Sequence, residues 1–288
     1  MKWLRRKKLY AYGERSPGEK LVIYILLTLV LLLFLFPVFW MLTTSLKTMG
    51  EIHRIPQTWI PSSIQWENYL EVFRISPFAN YLWNTVWYTA VTVFATAFSS
   101  SFVAFGFARL RAKGSTILFA VVLSTMMLPP QVVMIPQYLL FNQLGWVDSY
   151  LPLVVPSFAA SAFLIFLLRQ FYLGIPRELD EAVKIDGGGY FTIYFRIILP
   201  LSIPALATAG ILEFMFRWND LMGPLIYLHT VEKYPLSLGL ANLTAEMGGT
   251  PWNLLMAASV MAVTPPLVLF FLAQKHFIRG IVITGTKG

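Results

Sequence analysis

Three ionisable residues fall inside one apolar run. Glu213, Arg217 and Asp220 are four and three residues apart, so on a helix they share a face. A charge at mid-membrane costs about 2.5 to 3.5 kcal/mol on insertion scales, so internal pairing is expected, and Glu213 and Arg217 have the spacing for it. Asp220 lies nearer the outer end of the run, beside Trp218 and Asn219. An aromatic face with amide and carboxylate groups offers stacking for a sugar ring and hydrogen bonds for its hydroxyls. The same charges would equally serve a network joining this chain to a partner subunit, and the sequence leaves both readings open. Other chemistry lacks support. There is no cysteine, which removes disulfides, thiolate catalysis and cysteine-ligated metal. His53, His229 and His276 are isolated, without metal-ligand spacing or a nucleophile motif, so no catalytic residue and no metal site is assigned. No Gly-x-x-x-x-Gly-Lys-Ser/Thr phosphate loop occurs, so ATP hydrolysis is not expected of this chain.

The elements that must position these residues are membrane helices. Hydrophobic residues make up 57% of the chain and charged ones only 12%, far from the roughly one quarter charged in soluble domains. A hydrocarbon core of about 30 Å needs roughly 20 helical residues. Six runs meet that length: Leu21 to Leu42, Tyr81 to Ala108, Thr116 to Ile135, Leu151 to Phe171, Ile198 to Met222 and Leu254 to Phe277. The first follows Lys2, Arg5, Arg6, Lys7 and Lys8 like a signal peptide, but it is too long for one and no small-residue cleavage site follows, so it is read as a retained span. The net charge of +8 lies mostly in segments flanking the runs, which marks orientation rather than a nucleic-acid partner. Lysine and arginine gather in the N-terminal arm, Arg109 to Gly114, Arg169 to Arg196 and the tail from Lys275, which predicts cytoplasmic termini. The expected fold is all-α, a polytopic membrane helix bundle with six transmembrane helices, residues 21–277, between a cytoplasmic arm, 1–20, and a cytoplasmic tail, 278–288. Pro37, Pro129, Pro130, Pro136, Pro152, Pro156, Pro265 and Pro266 lie in or beside the spans, either as tolerated packing kinks or beside a hydrated path. Ser99, Ser100, Ser101, Ala104, Gly106 and Ala108 form a small-residue stripe that admits a neighbouring helix.

Between the fourth and fifth runs, residues 172–197 hold a short helix outside the membrane. Pro176 at its start, Glu178, Asp180 and Glu181 in the first turn, and Gly187, Gly188 and Gly189 at its end are start and stop signals. Leu179, Ala182 and Val183 are expected on one face. About ten residues are marginal as a lone helix, so this one needs a surface, either the bundle's own end or a partner. The chain then leads directly into the fifth run.

The run Glu181-Ala182-Val183-Lys184-Ile185-Asp186-Gly187-Gly188, with Phe195-Arg196-Ile197, Leu199-Pro200 and Pro204, resembles the EAA loop of ATP-binding cassette importer permeases. Val183 and Gly188 stand where that family commonly has alanine. Arg217-Trp218-Asn219-Asp220-Leu221 and Pro235 to Leu240 resemble the maltose-type sugar permeases of the family. The resemblance implies a bacterial or archaeal inner-membrane permease importing a sugar or related polyol, not an enzyme. It implies a coupling helix in which Glu181, Ala182, Val183, Asp186 and Gly187 meet a cytoplasmic ATPase homodimer. ATP and Mg would sit on that partner, with no cofactor on this chain. The implied partners also include a second related permease, an external solute-binding protein and membrane lipid. Thr286, Lys287 and Gly288 either reach the ATPase or form a frayed basic end. The rival reading is an ion-coupled secondary transporter, against which stand the absence of a clear repeat and the confinement of buried charge to one helix. The segment from Thr43 to Asn80 either meets an external protein or the partner permease, or packs over the bundle mouth.

Overall fold

The computed structural model describes residues 17–245 and 251–282, with side chains as far as residue 274 except that of residue 245. The N-terminal basic cluster and Thr286, Lys287 and Gly288 lie outside the described residues. The described residues form helices and loops, with no strand among them.

Among the described residues, four helical stretches are long and apolar enough to cross a membrane without a sharp bend: α1 (Pro17–Ser45), Phe78–Arg109, Leu151–Leu173 and Trp252–Gln274. Two bent pairs bring the number to six if each is one span. An amphipathic helix, α2 (Glu67–Ile75), precedes α3 (Phe78–Arg109), whose 32 residues reach about 48 Å at about 1.5 Å each. The third expected span is not one straight helix. It divides into α4 (Ser115–Ser124), extended by a short 3-10 turn, and α5 (Pro130–Gln143), which meet at 94°. The cause is Pro129-Pro130: a residue before proline is pushed out of the helical region, and Leu128 and Pro129 both take extended ψ values, 117° and 133°.

The fourth span is also interrupted. Leu151–Val154 and a 3-10 segment Val155–Ala159 end at Ala160, after which α6 (Ala162–Leu173) resumes. Then come α7 (Glu178–Ile185) and a run from Tyr190 to Leu201 containing a π-helical segment, Ile193–Ile198. That run bends by 75° at Ser202 into α8 (Ile203–Trp218). The expected fifth span from Ile198 to Met222 therefore begins before this break, and its helix stops at Trp218. Pro200 and Pro204 flank the bend and remove two backbone donors there. The chain continues through α9 (Leu236–Ala245) to α10 (Trp252–Val282).

α3 is the central helix, packed against both α6 and α8, while α1 packs on α10. Lipid tails remove the hydrophobic drive between membrane helices, so close approach of small residues and interhelical hydrogen bonds must hold them. Ala104 and Ala108 of α3 meet Leu164, Leu168, Tyr172, Ala205 and Ala209 in one such core. Of the expected small-residue stripe, Ser100, Ser101, Ala104 and Ala108 are buried, whereas Ser99 and Gly106 are partly exposed. The hydroxyls of Thr85, Thr92 and Ser99 donate to the carbonyls of Tyr81, Tyr88 and Ala95 one turn back, so they are satisfied within the helix.

The segment from Thr43 to Asn80 is tied to the bundle. Asn68 Nδ2 donates to the carbonyls of Ser45 and Lys47, and Asn253 Nδ2 donates to Asn68 Oδ1, which fastens α2 to both α1 and α10.

Candidate functional site

The α7 segment sits at the end of the bundle that carries Arg109 and Arg169. Its stop signal works as glycine chemistry requires. Gly187 adopts φ 81°, the left-handed region, and the N–H groups of Gly187 and Gly188 reach the carbonyls of Lys184 and Val183 at 3.0 and 2.8 Å. These are the two bonds of a Schellman cap. A Cβ on Gly188 would lie 2.5 Å from Val183 Cγ1 and 2.9 Å from Val183 O. The two positions where this sequence departs from the family pattern are thus in contact: the larger Val183 fills the space a side chain at 188 would need.

The helix divides its faces differently from the expectation. Val183 turns toward the bundle and packs on the α3–α6–α8 core, and Asp180 is buried beside it. Leu179 and Ala182 remain exposed, as do Glu181, Asp186 and Gly187, and Ile185 is 86% exposed. The inward row is therefore Asp180, paired with Arg109, and Val183, three residues apart, while Leu179 lies on the outer side. After the cap, Tyr190 and Phe191 continue the exposed apolar surface.

On the inner side the Tyr194 and Tyr172 hydroxyls lie 2.8 and 2.7 Å from Ser101 Oγ, joining the π-helical segment to α6 and α3. Neither tyrosine was marked by the sequence pattern, since an aromatic residue in an apolar run carries no signal of its hydroxyl partner.

In α8 the Glu213–Arg217 pair is formed, with Nε to Oε1 at 2.7 Å and both side chains largely buried. Asp220 is not on the helix. It lies beyond the Trp218 end, where its Oδ1 accepts from the Gly223 N–H and its Oδ2 from the Tyr88 hydroxyl. Tyr88, on α3 and fully buried, also receives Arg217 Nη1 at 3.5 Å. The three charges are thus joined through a tyrosine the sequence did not single out, and the network closes within this chain. Trp218 is buried, stacked on Phe214, and donates its indole N–H to Ala262 O on α10. Asn219 is exposed and donates to Met215 O. Phe216 and Met222 are each 64% exposed, and the Arg217 guanidinium lies over the Phe216 ring.

The break in the fourth span is held by α3. Ala160 has φ 68° and ψ 163°, a region close to glycine-only, so the backbone there is strained. The freed Ser161 N–H donates to Ser100 Oγ at 2.9 Å. No alanine in an apolar run announces such a conformation in sequence.

At the opposite end, Asp148 clasps two loops. Its carboxylate accepts from the backbone N–H of His229 and Thr230, the Thr230 hydroxyl and Lys233 Nζ. The hydrogen bonds from Lys233 and then Thr230 hold this carboxyl well below the usual carboxylate range. Tyr150 donates to Lys233 O nearby. Of the three histidines, His229 contributes backbone here, His53 Nδ1 lies 3.0 Å from Met49 O, and the side chain of His276 is outside the described ones. Among the described residues no group of three or more histidine, aspartate or glutamate side chains is placed to hold a metal.

The described residues thus form a polytopic helix bundle with interrupted spans and an exposed, glycine-capped helix at one end. The chain belongs to the binding-protein-dependent transport system inner membrane components, whose family model matches residues 97–283. It is 33% identical to the probable ABC transporter permease protein YurM of Bacillus subtilis over 98% of this chain and 91% of that one. It is 35% identical to the arabinooligosaccharides transport system permease protein AraQ of the same organism, over 89% of this chain and 92% of that one. It is 30% identical to the sn-glycerol-3-phosphate transport system permease protein UgpE of Brucella melitensis, over 94% and 99%. The fold matches the crystal structure of a bacterial ABC transporter involved in the import of alginate, with a TM-score of 0.80 and 24% identity over 92% of this chain and 99% of that one. The protein is a multi-pass inner-membrane permease of an ABC importer, and ATP hydrolysis belongs to a separate subunit.

Proposed function

We propose that the chain moves a sugar, an oligosaccharide or related polyol, inward by alternating access driven by an ATPase that docks on α7. The sugar reading draws on relatives named for arabinooligosaccharide and polygalacturonan/rhamnogalacturonan transport. The docking reading is carried by one observation: Leu179, Ala182 and Ile185 stand exposed beside Glu181 on a short, capped helix whose other face is already packed. An apolar surface rimmed by charge is what a protein partner covers. On this reading Glu181, Ala182, Asp186 and Gly187 form the contact, and Val183 seats the helix from behind. The α7 end is then cytoplasmic, the ATP and Mg are held by an ATPase pair, and a second permease and an external solute-binding protein complete the importer.

On the path reading, exposed Phe216 of α8, together with Asn219 and Met222 just beyond the end of that helix, faces the substrate. Phe216 supplies the ring surface expected of Trp218, which is occupied in packing. Glu213, Arg217 and Asp220 hold that face in position through Tyr88.

Binding of labelled arabinooligosaccharide by the cognate external protein, followed by its uptake in proteoliposomes, tests the substrate class. Uptake that stops with ATP depletion and requires a co-expressed ATPase is expected; uptake driven by an ion gradient alone contradicts the reading.

A further inference from the structure

We propose that Arg109 and Asp180 form a buried latch that fixes the docking helix to α3, so that force from the ATPase enters α3 as well as α8. Arg109 is the last residue of α3, and Asp180 is in the first turn of α7. Their closest approach is 3.5 Å, Nη1 to Oδ2, with side chains only 2% and 12% exposed. Arg109 Nη2 also donates at 2.9 Å to the carbonyl of Ile175, in the turn that leads into α7. One guanidinium thus grips both the helix and its entry.

Burial makes this different from a surface ion pair. Taking two charges out of water carries a desolvation cost that their attraction need not repay, but once both are buried, removing one strands the other without a countercharge. The alternatives for α3–α7 contact are weak, because the rest of the first turn, Glu178, Leu179 and Glu181, points away from the bundle. Val183 adds packing one turn later, and the buried pair adds a contact that cannot slide without separating two unsolvated charges. The pair is also incompletely satisfied: Arg109 Nε and Asp180 Oδ1 are buried without a hydrogen-bond partner. The guanidinium and carboxylate therefore have unused capacity to close into a two-bond, fork-to-fork geometry when α7 is pressed inward. Arg109 and Asp180 act on transport through the helices they join; they are positioning residues.

The latch rests on the docking reading, and the test separates them. Spin labels at Lys113→Cys and Glu178→Cys, on a chain that has no cysteine of its own, report the joint in the assembled importer in phosphatidylethanolamine/phosphatidylglycerol nanodiscs. With Arg109 and Asp180 intact, one interlabel distance is expected both without nucleotide and after trapping with ATP and vanadate. In Arg109→Gln and in Asp180→Asn, ATP hydrolysis is retained and the distance lengthens by roughly 5 Å, one helical turn, only on trapping. The exchange R109D/D180R restores the fixed distance. A merely structural pair would shift the distance equally in both states. A joint that stays fixed on trapping in Arg109→Gln overturns the proposal, and if the single variants do not assemble, lengthening in the exchange overturns it. Ile185→Glu addresses the other reading: retention of the ATPase in that variant contradicts docking on α7, whereas a fixed joint in Arg109→Gln contradicts the latch alone.

Discussion

The two ends of the bundle solve the same problem in opposite ways. At the Asp148 end, loop backbone and side chains satisfy one another: one carboxylate takes four donors, and Tyr150, Asn84 and Tyr234 close the surrounding loops. At the α7 end, polar contacts face inward, through Arg109, Asp180, Ser101 and Tyr194, and the outer surface keeps Leu179, Ile185 and Phe191 uncovered. The Asp148 clasp is closed within the chain, although Ile55, Ile60 and Trp66 at that end stay exposed. On the docking reading, a partner covers the surface at the α7 end. The contrast is between a polar clasp that stabilises this subunit and an apolar helix face offered to a partner.

The contrast can be broken first through the internal charge network. Glu213→Gln leaves the largely buried Arg217 without its countercharge and is expected to cost about 3 kcal/mol, read as lowered thermal stability of the purified complex. The double change Glu213→Gln with Arg217→Met should recover most of it. Equal stability of the single variant and the unaltered chain would show that the network is not internal.

At the α7 end, Gly188→Ala forces a methyl against Val183 and is expected to cost about 2 kcal/mol of local stability. Adding Val183→Ala relieves the Cγ1 contact and should remove part of that penalty, the close approach to the Val183 carbonyl remaining. A double-mutant cycle on hydrogen exchange of residues 178–188 measures the coupling, and strict additivity would contradict the contact.

The smallest effect concerns pH at the Asp148 end. Because the Asp148 carboxyl is depressed in the folded chain, its contribution is present above the ordinary carboxylate value of about 4 and is lost as pH falls through the lower folded value. Protection of the His229 and Thr230 amides should therefore be the same at pH 7 and pH 5. Asp148→Asn should reduce that protection at both. A midpoint between pH 5 and 7 would contradict the Lys233 clasp.

Much of this was legible in advance, for reasons that differ by residue. Apolar run length marked the membrane segments, and Gly187 announced the end of α7 because few other residues accept its left-handed backbone. The i, i+4 spacing anticipated Glu213 with Arg217. Pro129 and Pro130 marked a kink in the third run but not its 94° size, and the 75° bend between Pro200 and Pro204 was not read, because the hydropathy of a run is indifferent to its direction. The burial of Trp218, the inward turn of Val183 and the bridging by Tyr88 depend on neighbours far away in sequence, which local periodicity does not contain.

The most direct measurement is site-specific cross-linking from Ile185→Cys, carrying a short photoreactive maleimide, in membranes containing the co-expressed ATPase. A cross-link to the ATPase is expected from residue 185 and none from a matched label at His229→Cys. Equal labelling of the ATPase from both positions, or none from 185 in an importer that still hydrolyses ATP, would contradict docking on α7.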